Sequence, residues 1–194
     1  MKILIIEGPD NCGKDTLIKN VAAHYNIVKT IHCDKPTETD PDSALMNQSV
    51  QFVSLANLVI NDYINKSEDI AIFNRYHYGE YIYGQIYRNE NVTNILSTIR
   101  YIDSILNNGI SEKDICYIQL MSDNEDFLFK NDDGLSLSEN NKNLIKKECK
   151  LFKEIYEKSL IKNKHLVYVN NNSSFRSQQE LTNEVLNYIN NEQI

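Results

Sequence analysis

The chain has 194 residues, of which 41% are apolar and 24% are charged, values typical of one globular domain spanning residues 1–194. A net charge of −7 opposes a broad electrostatic grip on an extended nucleic acid. No run approaches the roughly 18 apolar residues of a membrane span, and the first apolar run is too short for a signal peptide. The four cysteines are far apart in the sequence. We therefore expect a cytoplasmic protein with reduced thiols and no membrane partner.

Strand and helix patterns alternate along the sequence. Apolar runs and three-to-four apolar spacing predict, in chain order, a strand at 2–7, a helix at 16–25, a strand at 26–33, a helix at 46–66, a strand at 70–73, a helix at 92–109, a strand at 115–120, a helix at 144–156, a strand at 166–169 and a helix at 181–189. The polar, acidic stretch 122–143 predicts a mobile connection. This order predicts an α/β fold in three layers, with a five-stranded parallel sheet flanked by helices.

The turn between the first strand and the first helix carries the strongest motif. Residues 8–14, Gly-Pro-Asp-Asn-Cys-Gly-Lys, satisfy G-x-x-x-x-G-K in the strand-to-helix setting that this phosphate-binding loop (P-loop) requires. Backbone N–H groups at such a helix start surround phosphate, and we expect Lys14 to face solvent and reach the outer phosphates. An ordinary turn with a coincidental lysine is the alternative. The residues predicted to bind ATP are Gly8, Asn11, Cys12, Gly13, Lys14, Asp15 and Thr16.

A second motif follows the predicted third strand, where Asn74 and Arg75 stand. Parallel sheets bind ligands outside the carboxyl ends of their strands, and a guanidinium binds phosphate through two parallel hydrogen bonds. Arg75 is therefore a candidate phosphate-binding residue, with a structural ion pair as the alternative. Among the tyrosines that follow, we single out Tyr83 as a candidate substrate contact, although packing explains much of this aromatic cluster.

Both motifs resemble the thymidylate kinase branch of the P-loop nucleotide kinases. Residues 7–16 are similar to that family's E-G-x-D-x-x-G-K-[ST]-T loop, and residues 74–84 to its D-R-[YHF]-x-x-S-x-x-A-Y-Q segment. Through Arg88 the second segment also looks like kinases of this type from phages. The resemblance implies that Asp10 contacts the sugar hydroxyl of the acceptor nucleotide and that Phe52 and Tyr83 lie near the acceptor. It also implies a homodimer. Core packing remains an equal alternative for Phe52.

The metal-binding positions depart from the family pattern. Asp15 stands where a Ser or Thr usually contacts magnesium, and Asn74 stands where the family has Asp. One carboxylate is gained and one is lost, so Asp15 is the predicted Mg²⁺ ligand. A simpler interpretation is that Asp15 favours the start of the helix, where acidic residues are stabilising.

The lid is a second departure from the family. Kinases of this family close an arginine-bearing lid over the donor phosphates, whereas residues 122–143 contain only Lys130 and Lys142 as cations. Three explanations stay open: a lysine acts weakly, an arginine such as Arg88 reaches in, or transfer is slow. Lys146 and Lys147 follow on the next predicted helix and are typical of a solvated helix face.

Together these features predict a nucleoside monophosphate kinase that transfers a phosphoryl group from ATP, with Mg²⁺, to a deoxynucleotide, dTMP being the favoured acceptor. Lys14 and Arg75 are its predicted catalytic residues, and small nucleotides are its predicted partners. A deoxynucleoside kinase is one alternative, because Glu7, Asp34 and Glu38 lie at strand ends where a base for a hydroxyl acceptor is needed. A nucleotide-binding protein with little turnover is the other.

Overall fold

A computed structural model of the protein describes residues 1–33, 40–130, 138, 141–171 and 174–190. At its centre five parallel strands form one sheet in the order β2-β3-β1-β4-β5. The strands are β1 Lys2–Glu7, β2 Val28–His32, β3 Ile70–Asn74, β4 Ile115–Met121 and β5 Lys164–Tyr168. β1 is the middle strand, so the loop that leaves its carboxyl end lies at the centre of the sheet edge. The predicted parallel α/β sheet is confirmed.

Helices connect the strands, as parallel pairing requires. Those in the described ranges are α1 Lys14–Ala22, α2 Pro41–Asn65, α3 Gly79–Tyr87, α4 Val92–Gly109, α5 Glu125–Lys130, α6 Lys142–Lys158 and α7 Gln178–Ile189. A 3₁₀ turn, Glu112–Asp114, precedes β4, and a short antiparallel hairpin of β6 Asn170–Asn171 and β7 Ser174–Phe175 follows β5. Within these same ranges, no helix is long and apolar enough to cross a membrane.

The core explains why the strands are apolar runs. Every residue of β3 and β4 is buried, and so is β1 after its first residue, as expected for a parallel sheet covered on both faces. α1 adds Leu17, Ile18 and Val21 to this core and packs against α7. α3 packs against α4 and α6, which fixes the segment following β3.

Two helices lie where the sequence predicts none. α3 occupies such a stretch, because its three tyrosines and two glycines obscure a three-to-four pattern. α5 lies inside the predicted mobile connection, and the prediction is wrong for this part of it. Phe127 and Leu128 are buried, and α5 packs against α6. The remainder of the predicted lid at 131–137 and 139–140 lies outside the described residues.

Candidate nucleotide-binding site

The loop from Gly8 to Gly13 folds back across the carboxyl edge of the sheet. Asn11 and Gly13 have φ values of 62° and 74°, in the left-handed region. A Cβ on Gly8 would lie 2.7 Å from the Leu120 carbonyl oxygen, so only glycine permits this approach to β4. Gly13 is the N-cap of α1 and has no side chain to accept from the first N–H groups of the helix. Those groups are suited to an anion.

Lys14 lies inside the curl of this loop. Its Nζ donates to the carbonyl oxygens of Gly8 at 2.8 Å and Pro9 at 2.6 Å, and lies 4.0 Å from the Asp10 carboxylate. The residue is only 5% exposed, so the expectation that Lys14 faces solvent is wrong. The loop carbonyls hold the ammonium at the centre of the turn, and burial lowers the pKa of Lys14.

Arg75 joins the two motifs. Directly after β3 it adopts a left-handed backbone with φ 63°, and its N–H donates to the Ile6 carbonyl at 3.2 Å. The guanidinium Nη2 lies 2.8 Å from Oδ1 of Asp10. The Arg75 side chain is 29% exposed, so part of the guanidinium remains open to a ligand. Asp10, Lys14 and Arg75 thus form one charged cluster at the sheet edge.

The two departures at the metal positions contact each other. Nδ2 of Asn74 donates to Oδ1 of Asp15 at 2.6 Å, and Oδ1 of Asn74 is buried with no hydrogen-bond partner among the residues that the structure describes. A carboxylate and an amide oxygen are hard ligands of the kind Mg²⁺ prefers, and this ion commonly takes one or two side chains together with substrate phosphates. No group of three or more acidic, His or Cys side chains suited to a metal occurs among the described residues. The Asp15 carboxylate, which accepts from the Asn74 amide, therefore fits a magnesium ion that arrives with a nucleotide.

Glu7 lies beneath the charged cluster and is 1% exposed. Its Oε1 accepts from the backbone N–H of Tyr76 at 2.7 Å and of Gly79 at 3.4 Å. Burial raises the pKa of Glu7 to about 7, although those two hydrogen bonds and the charges of Lys14 and Arg75 oppose the rise. A carboxyl at the end of the first strand was visible in the sequence, but its contacts with residues 69 and 72 positions later were not.

Tyr83 is another residue near the charged cluster whose buried polar atom has no partner among the described residues. Its hydroxyl forms no hydrogen bond within the part of the chain that the structure describes, and burial raises the pKa of Tyr83 well above the ordinary value. A buried hydroxyl normally finds a partner, so an unpaired one beside a charged cluster is consistent with a contact supplied by a ligand.

Comparison with known proteins identifies the fold. No protein-family model matches the sequence, and a search of curated proteins returns no match. The solved structure of the YorR protein from Bacillus subtilis in complex with phosphorylated GDP is similar, with a TM-score of 0.67 and 14% identity over 98% of this chain and 97% of that one. The chain has a P-loop kinase-like fold. Polyphosphate kinase 2 from Arthrobacter aurescens TC1 is also similar, with a TM-score of 0.63 and 13% identity over 99% of this chain and 69% of that one.

Some residues predicted for the site do not contact the charged cluster of Asp10, Lys14 and Arg75. Phe52 is 2% exposed, and its ring lies edge-on to Tyr76 with centroids 5.3 Å apart, so here it packs in the core. Cys12 is also buried, and burial raises the pKa of its thiol to about 12. Cys12 can therefore contribute to the loop through its backbone, whereas its thiol stays protonated. Arg88 forms ion pairs with Glu80 and Glu90.

The remaining predicted residues lie at the surface or outside the described ranges. Asp15 and Thr16 are exposed in the first turn of α1. Asp34 and Glu38, the other candidate bases, fall outside the described residues. From the predicted lid, Lys142 is paired with Asp126 at 2.8 Å.

Proposed function

We propose that the protein is a nucleoside monophosphate kinase that transfers the γ-phosphoryl group of ATP to a deoxynucleoside monophosphate. The observation that carries the proposal is the meeting of Lys14, Asp10 and Arg75, which unites a loop built for donor phosphates with a guanidinium suited to an acceptor phosphate. A P-loop alone is compatible with many nucleotide-binding proteins. A second phosphate-binding group beside it favours a reaction between two phosphorylated ligands.

The chemistry needs little beyond this arrangement. A phosphate oxygen of the acceptor forms a bond to the γ-phosphorus as the bond to the β–γ bridging oxygen breaks, giving ADP and a nucleoside diphosphate. Lys14 and the backbone N–H groups of residues 10–16 hold the donor phosphates, while Arg75 orients the acceptor phosphate and neutralises its charge. Asp15, with the Asn74 amide beside it, would hold a magnesium ion, which would supply neutralisation of charge on the transferred group.

On the acceptor side we assign Asp10 to the sugar hydroxyl and Tyr83 to a contact with the same nucleotide. The unpaired Tyr83 hydroxyl and the resemblance to thymidylate kinases support this assignment, and dTMP is the favoured acceptor. Phe52 is a weaker candidate because its ring is packed. Small nucleotides as partners, a homodimer and a cytoplasmic location remain predictions from the sequence.

Specific observations bear on the two alternatives. A deoxynucleoside kinase needs a carboxylate that can take a proton from a hydroxyl, and the raised pKa of Glu7, about 7, suits a base. The same carboxylate is nevertheless occupied by two backbone N–H groups. A protein with little turnover is favoured by the absence of arginine from residues 122–143.

A screen of acceptors decides among these functions. Purified protein with ATP and Mg²⁺ is offered each deoxynucleoside and each deoxynucleoside monophosphate, and ADP production is followed by a coupled assay. Polyphosphate is offered as a second donor because one structural relative is a polyphosphate kinase. We expect turnover with monophosphates, dTMP first, and none with Lys14→Ala. Turnover only with nucleosides establishes the first alternative, and ATP binding without any transfer establishes the second.

A further inference from the structure

We infer that Glu7 is a positioning residue that fixes the acceptor-binding segment, Arg75 to Tyr83, relative to the P-loop; this deepens the proposed function and rests on it. Glu7 is the last residue of β1 and directly precedes Gly8, the first residue of the P-loop. Its backbone therefore belongs to the donor side of the site, whereas its side chain contacts the acceptor side.

The segment that Glu7 contacts needs an external anchor. Arg75 holds a left-handed backbone with φ 63°, a conformation that non-glycine residues rarely adopt unless their surroundings impose it. The surroundings here are the end of β1: the Arg75 N–H donates to the Ile6 carbonyl, and the next N–H, that of Tyr76, donates to Glu7. Two consecutive N–H groups are thus held by two consecutive residues of the central strand.

The same carboxylate also supplies a missing helix cap. α3 begins at Gly79, and its N-cap residue, Tyr78, makes no side-chain cap hydrogen bond among the described residues. The Tyr78 hydroxyl lies at the far end of a long side chain, where it bonds to Asp103 and Ser159. Oε1 of Glu7 accepts from the N–H of Gly79, which places a carboxyl group at the positive end of the helix. A carboxyl 72 positions earlier in the sequence thereby caps the helix that carries Tyr83.

Gly79 lies close to both the Glu7 carboxyl group and the Tyr83 ring. A Cβ added there would lie 3.7 Å from Oε2 of Glu7 and 3.5 Å from the Tyr83 ring, so the carboxylate, the helix start and that ring are packed together. Displacement of the Glu7 side chain would release the turn after Arg75 and the start of α3 at once. The P-loop would keep its own anchors, because the Lys14 ammonium bonds to the Gly8 and Pro9 carbonyls. The expected defect is therefore in acceptor binding and not in ATP binding.

Two variants and a matched control test the inference. Glu7→Ala removes the acceptor, whereas Glu7→Gln keeps a carbonyl oxygen in its place. Asp69→Ala is the control, because Asp69 also accepts from two backbone N–H groups, those of Asn26 and Ile27, but at the opposite edge of the sheet. Calorimetric titrations give the Kd values for dTMP and ATP, and hydrogen exchange reports on the amides of residues 75–79. Thermal unfolding checks that each variant is folded.

We expect Glu7→Ala to weaken dTMP binding about tenfold or more, to change ATP binding less than about threefold and to speed exchange at Tyr76 and Gly79. Glu7→Gln should restore both properties, and Asp69→Ala should alter neither affinity. Equal losses for ATP and dTMP, or failure of Glu7→Gln to rescue, would overturn the inference. Should Glu7→Ala not fold, Glu7→Asp, one methylene too short to reach both N–H groups, takes its place. Wild-type protein that binds no monophosphate refutes the proposed function, and unchanged exchange in Glu7→Ala refutes the positioning role.

Discussion

Exchange of the side chains at positions 15 and 74 tests how the site handles magnesium. The perturbation is a double-mutant cycle of Asp15→Ser, Asn74→Asp and the two combined, which installs the hydroxyl and the carboxylate that the thymidylate kinase pattern has at these positions. In the structure the two side chains contact each other at 2.6 Å, although they are 59 positions apart. We therefore expect one shared site in which a carboxylate is present at one position or at the other.

The contact sets the size of the effect. A hydrogen bond to a charged group contributes about 1.5 to 3 kcal/mol, and Asp15→Ser removes the charge while leaving the buried Asn74 amide without its acceptor. Apparent magnesium affinity should fall about tenfold or more in Asp15→Ser, because a carboxylate ligand is lost. In the double variant the carboxylate introduced at position 74 replaces the one removed from position 15, so most of the loss should return. A coupling free energy of about 1 to 2 kcal/mol is expected.

Magnesium titrations of ATP binding, followed by calorimetry on all four proteins, measure this coupling without depending on turnover. Asp42→Ser is a matched control, because Asp42 occupies the same second position of α2 that Asp15 occupies in α1. If Asp15 only stabilises its helix start, both Ser variants should lose about 0.3 to 1 kcal/mol of folding stability and neither should change magnesium affinity. Additive magnesium effects across the cycle would refute the shared-site reasoning.

Three further predictions address single residues. Lys14→Ala should abolish phosphoryl transfer with an unchanged circular dichroism spectrum, and activity within about tenfold of wild type, roughly 1.4 kcal/mol, would contradict the P-loop assignment. Arg75→Lys keeps the charge but loses the planar fork, so steady-state kinetics should show a lower kcat/KM for the monophosphate and little change in KM for ATP; a defect confined to ATP would place Arg75 on the donor. Folding raises the pKa of Glu7 from 4.5 to about 7 through burial, which penalises its ionised form, so stability is lost as the pH rises through that range. In urea titrations, the free energy of unfolding of the wild type should therefore fall by up to about 3 kcal/mol more than that of Glu7→Gln between about pH 4.5 and about pH 8. If the free energies of unfolding of the two proteins change in parallel with pH, the raised pKa is contradicted.

The fold was predictable because its strongest signals are local. Buried parallel strands are continuous apolar runs, and β1, β3 and β4 are buried almost throughout, so each run is legible without its neighbours. α3 was not predictable in this way. This helix is buried on several sides and contains tyrosines and two glycines. The first N–H group of the helix is capped by Glu7, a residue of β1.

The site was predictable only where its geometry follows from consecutive residues. The spacing of Gly8, Gly13 and Lys14 dictates a phosphate-binding turn because the turn is built from that segment alone. The contact of Asp10 with Arg75 joins positions 65 apart. It depends on β3 lying beside β1, an order of strands that no local pattern contains. Glu7 shows the same limit, because its partners are backbone N–H groups, which carry no signature in the sequence.

The positions of the arginines bear on how fast the proposed reaction runs. Arg88 is held by Glu80 and Glu90, both buried, and moving it toward the P-loop would leave two carboxyl groups without their partner. Such a rearrangement costs several kcal/mol. It therefore disfavours one of the three explanations for the unusual lid, the one in which Arg88 moves to contact the donor phosphates. Besides magnesium, neutralisation of the transferred phosphoryl group then depends on Lys14 and Arg75, with any help from residues 122–143 coming from lysine. Because lysine lacks the fork that matches several phosphate oxygens at once, we expect a kinase whose turnover is slow.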